Sequence, residues 1–580
     1  MKRFLIPFAA IVLFALALPH PSVTYGRSNA PAPPVNQFPT KFRQSSRPIA
    51  GQYIVVFNDD FDRTRIASKA RSLTRLHGGR IMFIYEDAIK GFAVEMPEHA
   101  AVALSNNPLV ESVAENSYCT VTGTETTPQG PTTFWGLDRI DQRDLPLNDT
   151  YNYNRVGSGV HAYVLDTGIW VTHQDFGTHA LTVDSLDGGY DSFGGDGIDR
   201  HNHGTFVAGI IGGKTYGVAK NVQLHSVKVC TDDNPPVCPT SNIIAGLNWV
   251  ISHHTKPAVV NMSIASSASS NLDNAVRNTV AAGVTVVVGA GNNNANVSGY
   301  SPARVSEAIT VGATTRTDTK AFYSNYGFGI DVFAPGGEAP DHYIPVPASG
   351  WTYGGANNVS EGFVGTSAAT PHVTGAVALY LEQYSLYSPN DPATSPASVS
   401  SVITSNATPD RISGLESCFY NPYLDEFVCT PNSTNLLLYS LFMAAPATNP
   451  VDDTRFFTRQ QYYDFLRRVP DPGGWDYHTN FINVCGADTG CIAERRMTTV
   501  RGFMESPEFR DAHPILRDNP VGSQAYNEEF IRQLYRCALQ READPGGFDY
   551  HMTFINTYPG GYTTLIGHFI ESPEYRSRFQ

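Results

Sequence analysis

The sequence lacks a long basic run, its N-terminal apolar run is too short to span a membrane comfortably, and no later run is long and apolar enough to span one. Its 40 Lys and Arg residues are outnumbered by 54 Asp and Glu residues, which gives a formal net charge of −14. A chain without a basic stripe has little affinity for a phosphate backbone, so nucleic acid is not expected as a partner. The 580 residues exceed the usual size of one domain, and several domains are therefore expected.

The one strongly apolar run lies at the N-terminus. Lys2 and Arg3 precede an apolar stretch over residues 4–18, and small residues at 15–17 offer a cleavage site. This pattern is typical of a secretory signal peptide, predicted here over residues 1–17, and it predicts a secreted, extracellular protein with no membrane span after signal removal. An uncleaved anchor is the alternative. Residues 18–48, rich in Pro, Ser, Asn and Ala, predict a linker.

The eight cysteines do not follow the spacing of a zinc site, whereas export permits disulfides. Six of them form three close pairs, each of which would close a short loop: Cys230 with Cys238, Cys418 with Cys429, and Cys485 with Cys491. Cys119 and Cys537 are left over, and the sequence does not decide the pairing.

Residues 49–118 follow the order β-α-β-β-α-β of a small ferredoxin-like α+β unit. The last predicted strand covers residues 109–114. Such a unit close behind a signal peptide is either a binding module or a pro-segment. Residues 119–133 are polar and rich in Thr and Gly, which predicts an exposed linker that is cleaved on activation.

Residues 134–443 predict a large α/β domain. Short runs rich in Val and Ile alternate with helical patterns, and this alternation predicts a mostly parallel sheet. Such sheets bind ligands beyond the carboxyl ends of their strands. The residues that directly follow each predicted strand are therefore the candidates for function.

Four polar residues stand at or near such positions. Asp166 follows a predicted strand, His203 opens a helical pattern, Asn292 follows a glycine-rich strand end, and Ser367 lies on a tight turn before a helix. A serine, an imidazole, a carboxylate and an amide are the groups of nucleophilic acyl transfer, and this chemistry needs no cofactor. The order Asp, His, Ser along the chain is that of subtilisin.

Each of these residues also has a plainer interpretation. Asp166 and Ser367 are typical turn or helix-capping residues, and Asn292 lies in an ordinary Asn-rich loop. A metal site formed by His201, His203, Asp196 and Asp199 is a further alternative.

Four separated motifs resemble those of the subtilisin-like serine proteases, and within them the proteinase K branch. They are Val164-Leu165-Asp166-Thr167-Gly168-Ile169, His203-Gly204-Thr205-Phe206-Val207-Ala208-Gly209, Gly291-Asn292-Asn293-Asn294, and Gly365-Thr366-Ser367-Ala368-Ala369-Thr370-Pro371-His372. The resemblance implies a subtilisin-like α/β fold, a mostly parallel sheet with helices on both faces. It also implies that the unit over residues 49–118 is a propeptide that inhibits the enzyme intramolecularly.

The resemblance implies a role for each residue. Ser367 would attack the scissile carbonyl, His203 would carry the proton, and Asp166 would orient the imidazole. Asn292 would bind the oxyanion together with the backbone N–H of Ser367. Protein or peptide substrates would add as a strand, with residues of two segments as walls: Ser263, Ile264 and Ala265, and Ala290 and Gly291.

The chain departs from the family pattern in places. Phe206 stands where a second His is usual, Ala368 stands where Met is usual, and Ile264-Ala265 replaces Leu-Gly. The methyl group of Ala265 leaves the depth of the first specificity pocket open. Asp331 resembles the carboxylate of a structural calcium site, with carbonyls from Ser306 and Ala308; the alternative is a capping residue.

A linker over residues 444–453 precedes an internal repeat, and the two copies match at a shift of 73 residues. We predict two small all-α repeats over residues 454–512 and 525–580, each with an Asp-Pro-Gly-Gly turn. They are similar to a repeated helical domain of unknown function in secreted bacterial proteins. Binding to a surface, a substrate or another copy are open alternatives. His478 and His551 are interpreted as packing residues, and Asp471 and Asp544 as turn residues.

Taken together, the sequence predicts a secreted, self-processing serine endopeptidase. The alternative is a catalytically silent relative that acts as a binding scaffold. An esterase is not favoured, because the Gly-x-Ser-x-Gly elbow of α/β-hydrolases is missing around Ser367.

Overall fold

The computed structural model describes residues 41–578 except 122, 127–133, 179, 182–187, 340–341, 386–390, 422–425, 442–449, 469 and 487. The predicted signal peptide and most of the linker over residues 18–48 lie outside the described residues. So do most of the two further linkers and the side chains of Cys418 and Cys429. No helix in the described part of the chain is both long and apolar enough to cross a membrane.

The N-terminal unit is a mostly antiparallel sheet with two helices on one face. Its elements are β1 (Phe42–Arg43), β2 (Pro48–Phe57), α1 (Ile66–His77), β3 (Arg80–Tyr85), β4 (Gly91–Glu95), α2 (Glu98–Ser105) and β5 (Val110–Val121), and β1 runs parallel to β5. The next strand, β6 (Gly123–Thr126), belongs to a separate sheet with strands of the large domain. The strand order β5-β2-β4-β3 is that of a ferredoxin-like sheet. Alternate residues of β2 serve two cores: Tyr53 and Val55 pack with α1 and α2, and Ile54 and Val56 pack against the large domain.

Strand β5 extends to Val121, well beyond the end at residue 114 that its apolar pattern indicates. Residues 115–117 are polar, and residues 118–121 pair with strands of the large domain rather than with the N-terminal sheet. Residues 119–121 and 123–126, within the segment predicted as an exposed linker, are therefore β-strand.

The large domain is a three-layer α/β unit. Its helices are α3 (Trp135–Ile140), α4 (His203–Gly212), α5 (Thr240–His253), α6 (Ser270–Ala281), α7 (Thr366–Ser385) and α8 (Pro396–Asn406). Its strands are β7 (His161–Asp166), β8 (Ala180–Leu181), β9 (Tyr190–Asp191), β10 (Gln223–Lys228), β11 (Val237–Pro239), β12 (Ala258–Met262), β13 (Ile264–Ser267), β14 (Thr285–Gly289), β15 (Tyr300–Ser301), β16 (Ile309–Thr314), β17 (Val332–Pro335), β18 (Ile344–Pro347), β19 (Ser360–Gly365), β20 (Thr408–Pro409), β21 (Glu416–Asn421), β22 (Glu426–Pro431) and β23 (Leu436–Leu437).

The central sheet has the order β20-β23-β17-β16-β14-β12-β7-β10-β8, and all its pairs except β20 with β23 are parallel. Helices α4 and α7 pack on one face and α5 and α6 on the other, so the Val- and Ile-rich strands are buried on both sides. The predicted fold is confirmed. Because β7, β12 and β14 are parallel neighbours, the segments that follow Asp166, Met262 and Gly289 meet at one edge of the sheet.

The C-terminal helices form one unit with a single core that both repeats share. They are α9 (Thr454–Gln461), α10 (Pro472–Asn483), α11 (Thr489–Glu505), α12 (Pro507–Ala512), α13 (Pro514–Asp518), α14 (Gln524–Ala538), α15 (Pro545–Thr557), α16 (Tyr562–Ile570) and α17 (Pro573–Ser577), with a π-helical turn at Tyr462–Leu466. Polar contacts also join the repeats: Gln461 donates to the Tyr575 hydroxyl at 2.9 Å, and Arg578 pairs with Asp464 at 2.8 Å.

This helical unit docks on the large domain at the C-terminal end of α7. Trp475 is buried in the core of the large domain, with its ring 6.4 Å from that of Tyr384. Arg459 pairs with Asp391 at 3.0 Å, and both side chains are almost fully buried, at 2% and 0% exposure. The first repeat is therefore packed against the large domain.

Two of the predicted cysteine pairs are disulfides, Cys230–Cys238 and Cys485–Cys491. Cys418 and Cys429 stand opposite each other in the β21–β22 hairpin, by the register of its backbone. Cys119 and Cys537 are buried free cysteines.

Candidate active site

The carboxylate and the imidazole meet where β7 ends and α4 begins. Asp166 Oδ1 lies 2.7 Å from His203 Nδ1, and the two side chains are 0% and 1% exposed. Oδ1 also accepts the backbone N–H of Thr167 at 2.7 Å, which fixes the carboxylate. An ionised carboxylate only accepts hydrogen bonds, so Nδ1 carries the proton and Nε2 is left as the basic nitrogen.

The alternative metal site is not assembled. Asp196 pairs with Arg200 at 2.6 Å. The Asp199 carboxylate accepts the backbone N–H groups of His201 and Asn202 at 2.9 and 3.0 Å. These carboxylates organise the turn before α4, and the described part of the chain contains no group of three or more His, Cys, Asp or Glu side chains arranged to hold a metal.

Ser367 is the second residue of α7, directly after β19 ends at Gly365. The serine is buried, and its hydroxyl donates to the carbonyl of Ser263 at 3.1 Å. Within the described residues His203 Nε2 has no hydrogen-bond partner, so this structure holds the Ser367 hydroxyl on Ser263 rather than on the imidazole. Catalytic hydrogen bonds commonly tighten only when substrate is bound.

Asn292 is oriented by the residue before the serine. Its Oδ1 accepts the backbone N–H of Thr366 at 3.0 Å and the Thr366 hydroxyl at 2.9 Å. The NH₂ group is therefore the opposite, donating end of the side chain. The preceding residue, Gly291, has φ 101°, a conformation that favours glycine. A Cβ there would also lie 2.6 Å from Asn325 Nδ2, so no larger residue fits at this position.

An extended segment of the same chain runs along the edge of the sheet in front of these residues. At the end of β5, Val121 and Thr120 pair antiparallel with Ile264 and Ala265 of β13. Beyond residue 122, β6 pairs antiparallel with β19, and Gly123 stands opposite Gly365. The described parts of the segment thus pair with the strand that follows Ser263 up to Val121, and with the strand that precedes Ser367 from Gly123 onward.

The predicted walls flank this segment. A Cβ on Gly291 would lie 3.7 Å from Cβ of Ala265, so the two walls face each other there. An open pocket of about 540 Å³ adjoins the segment, and Ala265, Asn292 and Gly365 belong to its lining. The other three predicted wall residues, Ser263, Ile264 and Ala290, are fully buried. They can therefore offer a substrate their backbone but no exposed side chain.

Comparison with known proteins identifies the family of this chain. The sequence profile of the subtilase family matches residues 157–425, and that of the peptidase inhibitor I9 family matches residues 52–122. An extracellular serine proteinase of Thermus sp. (strain Rt41A) is 40% identical over 437 residues, covering 72% of this chain and 95% of the relative. The chain belongs to the subtilase family.

Two further comparisons agree. Alkaline serine exoprotease A of Vibrio alginolyticus is 37% identical over 407 residues, covering 68% of each chain. The crystal structure of fervidolysin from Fervidobacterium pennivorans, a keratinolytic enzyme related to subtilisin, shares the fold at 19% identity with a TM-score of 0.52; the match covers 70% of this chain and 63% of that chain. The predicted family, its inhibitor-like propeptide and its class as a serine-type endopeptidase are confirmed.

The imidazole of this subtilase packs against an aromatic pair that sequence reasoning did not assign to the site. The Phe363 ring meets the His203 ring edge to face, with centroids 5.3 Å apart at 84°, and Phe206 lies 5.2 Å from Phe363. Phe206 is noted from the sequence only as a departure from the family pattern. In the structure it packs on Phe363, the ring that contacts the imidazole. Phe363 gives no local signal, because it looks like any apolar strand residue.

Asp331 lies apart from the catalytic groups of this subtilase. Its Oδ2 accepts the backbone N–H of Thr310 at 2.8 Å, and burial raises the pKa of this carboxyl to about 6. A half-buried carboxylate whose charge is disfavoured by its surroundings fits a cation held further by carbonyls and water. Calcium binding by Asp331 with the carbonyls of Ser306 and Ala308 stays a prediction.

Proposed function

We propose that this subtilase is an exported endopeptidase that is made as a zymogen and releases itself by cutting its own chain, with Asp166, His203 and Ser367 as triad and Asn292 as oxyanion donor. One observation carries the proposal. The carboxylate–imidazole pair, the serine at a helix start and the oriented amide share one edge of the sheet, and a strand of the chain lies across that edge.

In this mechanism the Ser367 hydroxyl attacks the carbonyl carbon of the scissile bond while His203 Nε2 takes its proton. Asp166 keeps the imidazole in the required tautomer and stabilises it once it is charged. The oxyanion forms at the N-terminus of α7, where backbone N–H groups have no intrahelical partner. Donors there and the Asn292 NH₂ group stabilise the negative charge, and His203 then returns the proton to the leaving amine.

The register supports a specific bond for self-cleavage. Residues up to Val121 pair with β13 on one side of Ser367, and residues from Gly123 pair with β19 on the other. These registers support a cut at the bond before Gly123, so that the mature enzyme would begin at Gly123. The same two strands, β13 and β19, would bind foreign protein substrates by strand addition.

The test uses the chain from residue 18 onward, as wild type and as Ser367→Ala. We expect the wild type to shorten to a product starting at Gly123, to cleave casein and to be labelled by phenylmethylsulfonyl fluoride. Ser367→Ala should keep its full length and the same circular dichroism spectrum. A first residue other than Gly123 would contradict the register, and a wild type that stays intact, inert and unlabelled would favour the silent scaffold.

Export is supported by the signal-like N-terminus and by the extracellular relative from Thermus. Fusion of residues 1–48 to a periplasmic reporter enzyme tests it, with Lys2 and Arg3 replaced by Glu as control. We expect export only of the unmodified fusion.

A further inference from the structure

The residue directly before the catalytic histidine has an unusual backbone. Asn202 has φ 129° and ψ −33°. Six other described residues that are not glycine have positive φ, and all of these lie between 46° and 59°, in the ordinary left-handed region. A φ near 130° suits glycine, so a residue with a Cβ keeps it only where surrounding contacts hold it in place.

Those contacts come from the Asn202 side chain, which is 4% exposed. Asn202 occupies the N-cap position of α4, yet its side chain makes no capping hydrogen bond. Its Oδ1 instead accepts the backbone N–H of Ser349 at 3.0 Å and the hydroxyl of Thr352 at 3.1 Å. Asparagine at this position ordinarily stabilises its own helix, and here the same oxygen binds a different loop.

That loop joins β18 to β19 and is fixed to the same turn at a second point. The Ser349 hydroxyl donates to the carbonyl of Asp199 at 2.7 Å. The Asp199 carboxylate in turn accepts the N–H of Thr205, in the first turn of α4, at 2.9 Å. The loop is therefore hydrogen-bonded to both ends of the segment before His203, at Asp199 and at Asn202.

The far side of the loop leads into the strand that faces substrate. Strand β19 carries Phe363, which packs on the His203 ring, and ends at Gly365 beside Ser367. A displacement of the loop would move the start of α4 relative to β19. The position of the imidazole between Asp166 and Ser367 thus depends on the contact between Asn202 and the loop.

We propose that Asn202 is a positioning residue for the triad, which ties the turn before His203 to the β18–β19 loop through its Oδ1. This inference rests on the proposed function, because it assigns Asn202 a role in placing His203 for proton transfer. Within the described part of the chain, the hydrogen bonds of the Asn202 N–H and side chain reach Asp199, Ser349 and Thr352 rather than the triad. Its effect is expected in turnover rather than in substrate binding.

The test compares variants that separate the hydrogen bonds from the backbone conformation. Asn202→Ala removes Oδ1, Asn202→Gly also relieves the unfavourable φ, and Thr352→Val removes one donor while Thr352→Ser keeps it. Each is measured as kcat and KM for a chromogenic peptide per active site titrated with phenylmethylsulfonyl fluoride, together with the rate of self-cleavage. Thr404→Val, on α8 and remote from the site, is the matched control for the loss of a threonine hydroxyl.

We expect Asn202→Ala and Asn202→Gly to lower kcat by about 10- to 100-fold, since a misplacement of about 1 Å can cost 10²-fold, and to leave KM within about twofold. Thr352→Val should lower kcat less, Thr352→Ser should restore it, and the double variant Asn202→Ala with Thr352→Val should lose less than the product of the single effects.

Three outcomes would overturn the inference: kcat of Asn202→Ala within about twofold of wild type, Asn202→Gly as active as wild type, or strictly multiplicative effects of the two changes. The second outcome would show that only the backbone conformation matters. A wild type without activity would instead refute the proposed function, and so the two failures are distinguishable. If Asn202→Ala does not fold, the variants Thr352→Val and Thr352→Ser decide the question, because they leave the Asn202 backbone unchanged. A kcat of Thr352→Val within about twofold of wild type would then overturn the inference.

Discussion

Replacing Gly204 with alanine should damage the triad through a single methyl group. Gly204 is the second residue of α4, directly after His203, and it packs on the turn that follows Asp166. A Cβ at this position would lie 2.1 Å from the carbonyl oxygen of Gly168 and 3.1 Å from Cβ of Asp166. The first of these atoms belongs to the backbone, so no side-chain rotation can relieve the clash.

The size of the effect follows from these distances. Ordinary van der Waals contact for a Cβ begins near 3.4 Å, so the start of α4 and the turn after Asp166 must separate by about 1.3 Å. The same movement acts on the hydrogen bond between Asp166 and His203, now 2.7 Å long. Lengthened by about 1 Å it is no longer a hydrogen bond. We expect kcat to fall by at least about 10²-fold, and stability to fall by about 1–3 kcal/mol from overpacking.

The assay is the rate of self-cleavage, followed by intact mass after refolding, and then kcat per titrated site on a chromogenic peptide. Gly502→Ala is the matched control, because Gly502 lies within α11 and a Cβ there would meet nothing within 4 Å. That control should raise stability by about 0.5–1 kcal/mol and leave activity unchanged. If Gly204→Ala kept kcat within about threefold of wild type, the close packing of α4 on the Asp166 turn could not be what places His203.

Three further predictions concern other parts of the chain. Asn292→Ala should fold normally and lower kcat about 10²–10³-fold with little change in KM, measured on the titrated enzyme; an unchanged kcat would remove its role as oxyanion donor. Arg459→Leu leaves the Asp391 carboxylate buried without its charged partner and should lower the free energy of unfolding by about 3–5 kcal/mol. The lower Tm should be partly restored by a second change, Asp391→Asn; an unaltered Tm would show that this ion pair does not stabilise the protein. Burial lowers the pKa of His372 from its ordinary value to about 4, so the unfolded chain binds a proton that the folded chain excludes. The free energy of unfolding should therefore fall as pH is lowered from about 6.5 towards 4. Urea unfolding at several pH values should show a shallower fall for His372→Gln. The same dependence on pH in both proteins would contradict the role of His372.

The catalytic candidates can be selected from the sequence because Asp166 and Asn292 follow predicted strands and His203 opens a helical pattern. Ser367 lies on a predicted turn before a helix. Parallel strands bring such positions to one edge, so Asp166 and Asn292 were expected there without knowledge of any contact. The alternation of strands and helices predicts only an α/β domain with a mostly parallel sheet. The subtilisin-like fold is predicted by the resemblance of the four motifs to those of subtilisin-like proteases.

The remaining features depend on contacts between distant segments. The polar stretch over residues 115–117 interrupts the apolar pattern of β5, and the strand continues beyond it because β11 and β13 supply hydrogen-bond partners. Phe363 is indistinguishable in sequence from an ordinary core residue. Arg459 and Asp391 are charged residues, which are buried only when each meets its partner across two domains.

Strand β5 belongs to two sheets at once, one within the inhibitor unit and one at the cleft. While the chain is intact, the cleft faces its own inhibitor at the effective concentration of a tethered ligand, which is in the millimolar range for short flexible connections. Cleavage after residue 122 would break that tether without removing any strand pairing. The inhibitor would then have to dissociate as a separate molecule, and the activity of the mature enzyme would rise on dilution. A freshly cut preparation should thus reach a larger active fraction at nanomolar than at micromolar concentration.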